Sequence, residues 1–486
     1  MLPSLLAPCP ALAPKRVRPL AASPNGKKSL FERFLALFAE VRAGEGLLVT
    51  VLALDVFLVL VAYYLVKVVR EPLILVGGGA ELKSYAAAGQ AVLLIGVVKA
   101  IDVMARRFGR LRLMATSWLF FASNLVLFYF LALWDVPIGF VFFLWVGVFS
   151  VSVLAQFWSF ANDLYTPAQG KRLFAIVGIG ASAGAVFGSK LADLLIDPSA
   201  TADGADRSLY RLMLYAAGIL LVALALTAFA DKRAGDVEPR EASAEQPVPD
   251  RIGGPTALTL IRRDRYLLLI ALLVLLLNWV NSTGEYILSR MVEGAAHEAS
   301  AAAWEAGRAA ATVAESAFRE GFEKTYIGDF YATFFTWVNA LGAGIQLFLV
   351  SRILRYVGVR VAIMVLPTIA LIGYGAILVL PVLAVARVAK IAENSIDYSL
   401  QNTAQQALFL VTSRAAKYKA KAFIDTVMKR AGDVLQALVV WVGTSLAFGI
   451  RHFVIVAMVL AVCWLITAIA IGRRHHVLED ESDAEG

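Results

Sequence analysis

Charged side chains stand inside several of the longest apolar stretches of this chain. Asp55, Lys67, Arg70 and Glu71 fall in or just beyond the run 47–70. Glu285 and Arg290, preceded by Asn278 and Asn281, fall in 266–290. Lys390, Glu393, Asn394, Asp397, Asn402, Gln405 and Gln406 fall in 385–411, and Lys421, Asp425, Lys429, Arg430 and Asp433 in 421–447. A charge at mid-bilayer costs about 2.5–3.5 kcal/mol on insertion scales, so such groups face a cavity or a partner. Cations and carboxylates together along a channel suit an anionic or zwitterionic solute, bound without bond-making chemistry. No cofactor is expected, and no metal site either. His297, His452, His475 and His476 share no ligand spacing with Cys9, Cys463 or the carboxylates.

Many of these charges also have a structural reading. Lys390–Glu393, Lys421–Asp425, Lys429–Asp433, Lys190–Asp193 and Lys99–Asp102 are three or four residues apart. Each pair can neutralise itself along its own helix, so structure is the leading reading for them. Arg70 and Glu285 lack an oppositely charged partner at that spacing, apart from Lys67 and Glu71 in the first span, and are the sharper binding candidates.

The elements that must carry these residues are membrane spans. The 486 residues are 59% hydrophobic and only 17% charged, with a mean hydropathy of +0.72. Soluble chains sit near half apolar and a quarter charged, so a soluble enzyme is excluded, as are fibrous and disordered classes. Apolar runs predict spans near 47–70, 84–105, 111–134, 137–163, 173–196 and 209–230. A second set is expected near 266–290, 327–350, 361–384, 385–411, 421–447 and 452–472. The expected class is an all-α polytopic membrane protein with 12 transmembrane helices in two six-helix bundles. Its parts are a basic N-terminal segment (1–46), the first bundle (47–230), a linker (231–265), the second bundle (266–472) and a tail (473–486).

Basic residues collect in alternate loops: Arg106, Arg107, Arg110 and Arg112, then Lys171 and Arg172, then the linker, then Arg352, Arg355 and Arg360, then Arg414, Lys417 and Lys419. The positive-inside rule therefore places both termini in the cytoplasm, most simply at a bacterial inner membrane. The first thirty-one residues lack Asp and Glu; this reads as a basic cytoplasmic tail rather than a transit peptide. Residues 294–325, rich in Ala and Glu, are expected as an outer helical cap. Arg107-Phe-Gly-Arg-Leu-Arg112 is echoed by Arg355-Tyr-Val-Gly-Val-Arg360, as two parallel repeats of the major facilitator type require. Gly178, Gly180 and Gly184 look like a phosphate loop but sit in an apolar span, where small residues let helices approach closely. Gly77-Gly78-Gly79 is expected to end the first span, and Phe157, Trp158 and Phe160 to pack.

An ordered set of motifs carries a resemblance. Tyr64-Leu-Val-Lys67-Val-Val-Arg70-Glu71 resembles the first-span signature of the ATP/ADP nucleotide transporters of plastids and obligate intracellular bacteria. Phe157-Trp158-Ser-Phe160-Ala161-Asn162, then Lys171-Arg172-Leu-Phe174 and Gly178-Ile-Gly180-Ala181, resemble that family's span-four-to-five segment. Asn281 to Arg290 resembles its seventh span, Gly328-Asp329-Phe330 the start of its eighth, and Lys417-Tyr-Lys419-Ala-Lys421-Ala-Phe-Ile-Asp425 its span-ten-to-eleven segment. The resemblance implies nucleotide exchange by alternating access. It puts Arg70 at the position of a phosphate-engaging span-one base and Glu285 at that of a span-seven acid. The sequence departs from the pattern near Val146, at Gln401-Asn402-Thr403-Ala404-Gln405-Gln406 and at Gly432-Asp433.

The resulting expectation is a transporter of nucleotides or related organic phosphates. Lys67 and Arg70 would bind phosphate, assisted by Lys421, Lys429 and Arg430. Asn162, Asn281 and Asn394 would orient base or ribose, and Asp55, Glu71, Glu285 and Asp425 would gate or couple. The expected partners are a small-molecule substrate and the lipid bilayer, with no nucleic acid, and the protein is expected to be a monomer. Two alternatives stay open: a proton-coupled carrier of another anionic or amphiphilic solute, and a non-transporting membrane scaffold.

Overall fold

The computed structural model describes residues 30–35, 39–107, 109–197, 207–234, 256–307, 314–412 and 416–485. The basic segment up to residue 29, linker residues 235–255 and cap residues 308–313 lie outside the described residues, as do the side chains of Lys99, Asp102, Lys171 and Lys417. All regular structure among the described residues is helical. The elements are α1 (Leu30–Leu35), α2 (Gly46–Arg107), α3 (Arg110–Leu133), α4 (Gly139–Leu164), α5 (Pro167–Leu195), α6 (Arg207–Ala234), α7 (Ala257–Arg263), α8 (Arg265–Glu305), α9 (Glu315–Phe348), α10 (Val350–Tyr356), α11 (Gly358–Val379), α12 (Leu383–Ile396), α13 (Asn402–Ala407), α14 (Lys421–Phe423), α15 (Lys429–Ser445) and α16 (Ile450–Glu485). Three π-helical segments, Asp397–Gln401, Ala416–Ala420 and Ile424–Met428, link the short helices between α12 and α15.

Helix α2 is two arms. Its helical geometry breaks at Gly78 and Gly79, and Gly79 has φ +72°, a left-handed conformation that glycine adopts without a Cβ penalty. The glycine triplet thus ends the first span, though the first arm runs about two turns beyond the expected residue 70.

Eight described helices are long and apolar enough to cross a membrane, or nine if α9 and α10, bent by 46°, form one span. The twelve expected spans exceed this count for a compositional reason. The two arms of α2 share one apolar stretch, Gly46–Leu94. The rods α12–α13 and α14–α15 are interrupted by π-helical turns and carry the charges that lower their hydropathy.

Within the N-terminal half, α2 packs on α4, α5 and α6; within the C-terminal half, α8 packs on α9, α15 and α16, and α11 on α16. The α2–α5 contact is unusually close. A Cβ added at Gly180 or Gly184 would clash with the carbonyl oxygens of Ala53 and Phe57, and one at Gly188 would lie 2.7 Å from Val61 Cα. The glycine stripe therefore packs helices, as small residues do in lipid, where dispersion contacts drive association. Phe157 and Phe160 are fully buried, in keeping with a packing role. Helix α5 begins with a capping box, Thr166 exchanging hydrogen bonds with Gln169, and Pro167 at its first position.

The halves meet through α2 with α8, α9 and α15, and through α5 with α9. Helix α8 has 41 residues, about 60 Å of rod against a hydrocarbon core of about 30 Å. Beyond the apolar stretch the end of α8 packs on the start of α9. Ser300 Oγ donates to Glu323 Oε1 at 2.9 Å there, His297 Nδ1 lies 3.1 Å from the same oxygen, and Trp304 packs on Phe318.

Candidate substrate site

The charged residues converge because helical spacing puts them on facing stripes. Tyr63, Tyr64, Lys67, Arg70 and Glu71 recur every three or four residues along the first arm of α2, and Asn278, Asn281, Ser282, Glu285 and Ser289 do so along α8. Lys390, Glu393 and Asn394 share one face of α12. All but Glu285 of the ionised groups in this set are buried or nearly so, and all of these but Lys67 are made tolerable by mutual pairing.

The pairing runs across the two halves. Arg70 ion-pairs with Glu71 and lays its guanidinium 4.6 Å from the Phe143 ring centre. Lys83, on the second arm of α2, places Nζ 2.7 Å from Glu71 Oε2 and donates to Ser289 Oγ at 2.8 Å. The same Nζ is 4.0 Å from Glu285 Oε2. The other oxygen of Glu285 lies 3.7 Å from Lys390 Nζ and accepts from Asn394 Nδ2 at 3.0 Å. Lys390 in turn donates to Asn281 Oδ1 at 2.9 Å and pairs with Glu393 at 3.1 Å. Tyr374 closes the chain by donating to Glu393 Oε2 at 3.0 Å.

Lys67 stands apart. It is 8% exposed, and no carboxylate lies within ion-pair distance among the described residues. Instead Nζ sits 4.0 Å from the Phe335 ring centre, 5.2 Å from Tyr64 and 5.9 Å from Tyr63. Aromatic faces attract a cation by about 2 kcal/mol when desolvated, which holds the ammonium without neutralising it. The cluster thus sets four cations (Lys67, Arg70, Lys83, Lys390) against three carboxylates (Glu71, Glu285, Glu393).

Further contacts between the halves gather toward the Gly78–Gly79 turn. Arg290 is 3.2 Å from Glu81, Tyr286 donates to Glu81 at 3.1 Å, and the Ala80 amide donates to Glu293 at 3.3 Å. Gln436 Nε2 donates to Ser84 Oγ at 3.1 Å.

The sequence-expected residues divide. Lys67, Arg70, Glu71, Asn281, Glu285 and Asn394 come together. Lys390–Glu393 does pair within its helix, and so does the exposed Lys190 with Asp193. Neither Arg70 nor Glu285 has an ion-pair partner three or four residues away, but neither stands alone. Arg70 takes the adjacent Glu71, and Glu285 takes two lysines from distant helices. The Lys429–Asp433 pairing is also replaced: Asp433 meets Arg430 at 3.4 Å and accepts from Ser282 at 2.6 Å, while Lys429 is exposed. Asp425 accepts from Gln405 at 3.4 Å, and Lys421 lies 5.7 Å from the Phe409 ring centre. Asn162 is exposed near the end of α4, away from the cluster. Asp55 is fully buried between α2 and α6, where Thr227 donates to Oδ2 at 2.7 Å and Oδ1 has no partner. Lys83 is the member that sequence reasoning missed. It lies outside the apolar runs, twelve residues from Glu71 and more than 200 from Glu285 and Ser289, and only its single charge beside a span end signals it.

This architecture is shared with solved transporters. The nucleoside transporter NupG superposes with a TM-score of 0.59 at 11% identity, covering 87% of this chain and 98% of that one. A bacterial homologue of the iron transporter ferroportin, in an inward-facing state, gives 0.58 at 12% identity over 87% and 98%. A POT family transporter in complex with 5-aminolevulinic acid gives 0.54 at 12% over 87% and 96%. At such identities the likeness shows a shared fold and nothing more. Curated protein sequences include no significant match to the chain. Residues 129–475 match the model of the TLC ATP/ADP transporter family. The match spans 347 of 486 residues, and the chain belongs to that family. It is an integral membrane transporter.

Proposed function

We propose that the protein exchanges nucleotides, ATP for ADP or related organic phosphates, by alternating access of twelve spans in two six-helix halves. The observation that carries this reading is Lys67: a buried ammonium, held by aromatic rings and lacking a carboxylate, at the junction of the halves. An uncompensated cation there is expensive unless an anion visits it. Lys67 and Arg70 would take phosphate oxygens, and Asn281 and Asn394 would orient the remainder of the solute. Asn162, Lys421, Lys429 and Arg430 would meet it along the path, with Glu71, Glu285 and Asp425 in gating roles. The basic loops support a reading with both termini in the cytoplasm, in keeping with a bacterial inner membrane.

The test is uptake of labelled ATP into proteoliposomes preloaded with ADP, phosphate or nothing. Stimulation by internal ADP that is lost in Lys67→Gln and Arg70→Ala supports exchange. Equal uptake under every preload, with monodisperse protein, rejects it.

A second reading rests on Asp55, whose buried, half-partnered carboxyl suits a site that gains and loses a proton. It makes the protein a proton-coupled carrier of another anionic or amphiphilic solute. Uptake driven by an imposed pH gradient and abolished in Asp55→Asn would favour it over exchange.

A further inference from the structure

We propose that Lys83 and Lys390 form a two-point anion clamp across the halves, and that Glu285 is the chain's own occupant of that clamp when no substrate is bound. The proposal rests on the transport reading above and adds the groups that grip the solute. Its chemical class is a solute presenting at least two anionic oxygens, as a phosphate ester or polyphosphate does.

The distances separate Glu285 from the other carboxylates. Each lysine already has a nearer glutamate on its own side: Glu71 at 2.7 Å from Lys83, and Glu393 at 3.1 Å from Lys390. Each is also fixed by a neutral group, Ser289 Oγ at 2.8 Å and Asn281 Oδ1 at 2.9 Å. Neither therefore needs Glu285 to hold its place. Glu285 reaches Lys83 with one oxygen at 4.0 Å and Lys390 with the other at 3.7 Å. Both gaps exceed the roughly 2.7–2.9 Å of a direct charge-assisted hydrogen bond. Its side chain is 27% exposed, against 1% for Glu71 and 4% for Glu393. It is the loosely held, reachable carboxylate of the three, set between two well-held cations.

A substrate anion that replaces it can approach both lysines at full hydrogen-bond distance, leaving Glu285 to keep its bond from Asn394 and turn toward water. Lys83 belongs to α2 and Lys390 to α12, so a bridging anion touches both moving bodies at once. The empty carrier keeps the same bridge in weaker form.

The experiment measures binding of ATP and of inorganic pyrophosphate to the purified full chain in detergent. Glu285→Gln keeps shape and removes only the competing charge; it is expected to bind the anion about three- to tenfold tighter than the parent. Lys83→Gln is expected to weaken binding, and adding it to Glu285→Gln to cancel the gain. Glu393→Gln removes an equal charge beside Lys390 but also loosens the lysine that it holds, and is expected to give no such gain. Unchanged or weaker binding in Glu285→Gln overturns the clamp, as does an equal gain in Glu393→Gln or a folded Glu285→Gln protein that binds neither anion. Tightened pyrophosphate binding without any ATP binding would keep the clamp and remove the nucleotide reading. ATP binding indifferent to Glu285→Gln would do the reverse. Lys83→Gln leaves Glu71 paired with Arg70, and unfolding temperatures check each variant. If Lys83→Gln does not fold, the comparison of Glu285→Gln with Glu393→Gln decides alone.

Discussion

The hydroxyl of Tyr64 donates to Asn339 Oδ1 at 2.8 Å, joining the first arm of α2 to α9 across the two halves. Asn339 uses its amide nitrogen as well, donating to Ser189 Oγ at 3.0 Å and to the Ala185 carbonyl at 3.3 Å. One buried side chain thereby ties α2, α5 and α9 together at the edge of the aromatic cage around Lys67. Substituting Asn339→Ala leaves a buried tyrosine hydroxyl without its acceptor and is expected to cost about 1–3 kcal/mol. Thermal unfolding in detergent reads the loss, and Tyr64→Phe, which removes the hydroxyl itself, is expected to cost less.

The glycine stripe of α5 makes a sharper steric prediction. Gly180→Ala and Gly184→Ala each drive a methyl into backbone carbonyls of α2, for an expected penalty of about 1–3 kcal/mol. Nothing lies within 4 Å of a Cβ at Gly178. Gly178→Ala should stay within about 0.5 kcal/mol of the parent. Equal melting temperatures for the three variants would contradict the packing described.

Glu71 answers two cations, Arg70 and Lys83, from a position 1% exposed. Removing its charge strands both in a buried setting. Glu71→Gln is expected to destabilise by about 3–5 kcal/mol, the range for breaking a buried pair from one side. Chemical denaturation in mixed micelles would measure it. A neutral outcome would mean that Glu285 can take over both cations.

Glu45, just before α2, gives a pH dependence. Burial raises its carboxyl, but hydrogen bonds from Arg172, the Arg42 amide and Gln169, together with the Arg172 charge, outweigh this and hold it below the usual carboxylate value. The Arg172–Glu45 ion pair is 3.0 Å long. A carboxyl depressed in the folded state contributes stability that is complete above its unfolded value and is lost as pH falls through the depressed one. The parent should therefore lose melting temperature on acidification over that window more steeply than Glu45→Gln. Parallel curves would show that the Arg172 contact carries no linkage.

Much of this was legible in composition and period. The apolar runs mark the helices, the spacing of Lys67, Arg70 and Glu71 places them on one stripe, and Lys390–Glu393 pairs as a three-residue spacing allows. The partners of Glu285 were not legible, because Lys83 lies 202 positions away and only tertiary contact joins them. Nor was the exchange of Lys429 for Arg430 as the partner of Asp433. Both cations lie one turn before Asp433 in α15, at spacings of four and three that an α-helix allows equally, so periodicity alone does not choose between them. Asp55 and Lys67 illustrate the same limit. Both read as charges in lipid, yet one is capped by Thr227 and the other by three rings.

The uninterrupted length of α8 makes it a lever. Glu285 sits near its middle and Trp304 near its far end, 19 residues on, or about 28 Å along the rod. A tilt of about 10° at the ion cluster would sweep Trp304 through about 5 Å at that spacing. Events among charges sealed in the centre of the bundle are therefore written, magnified, at a tip that a fluorophore can reach without entering the site.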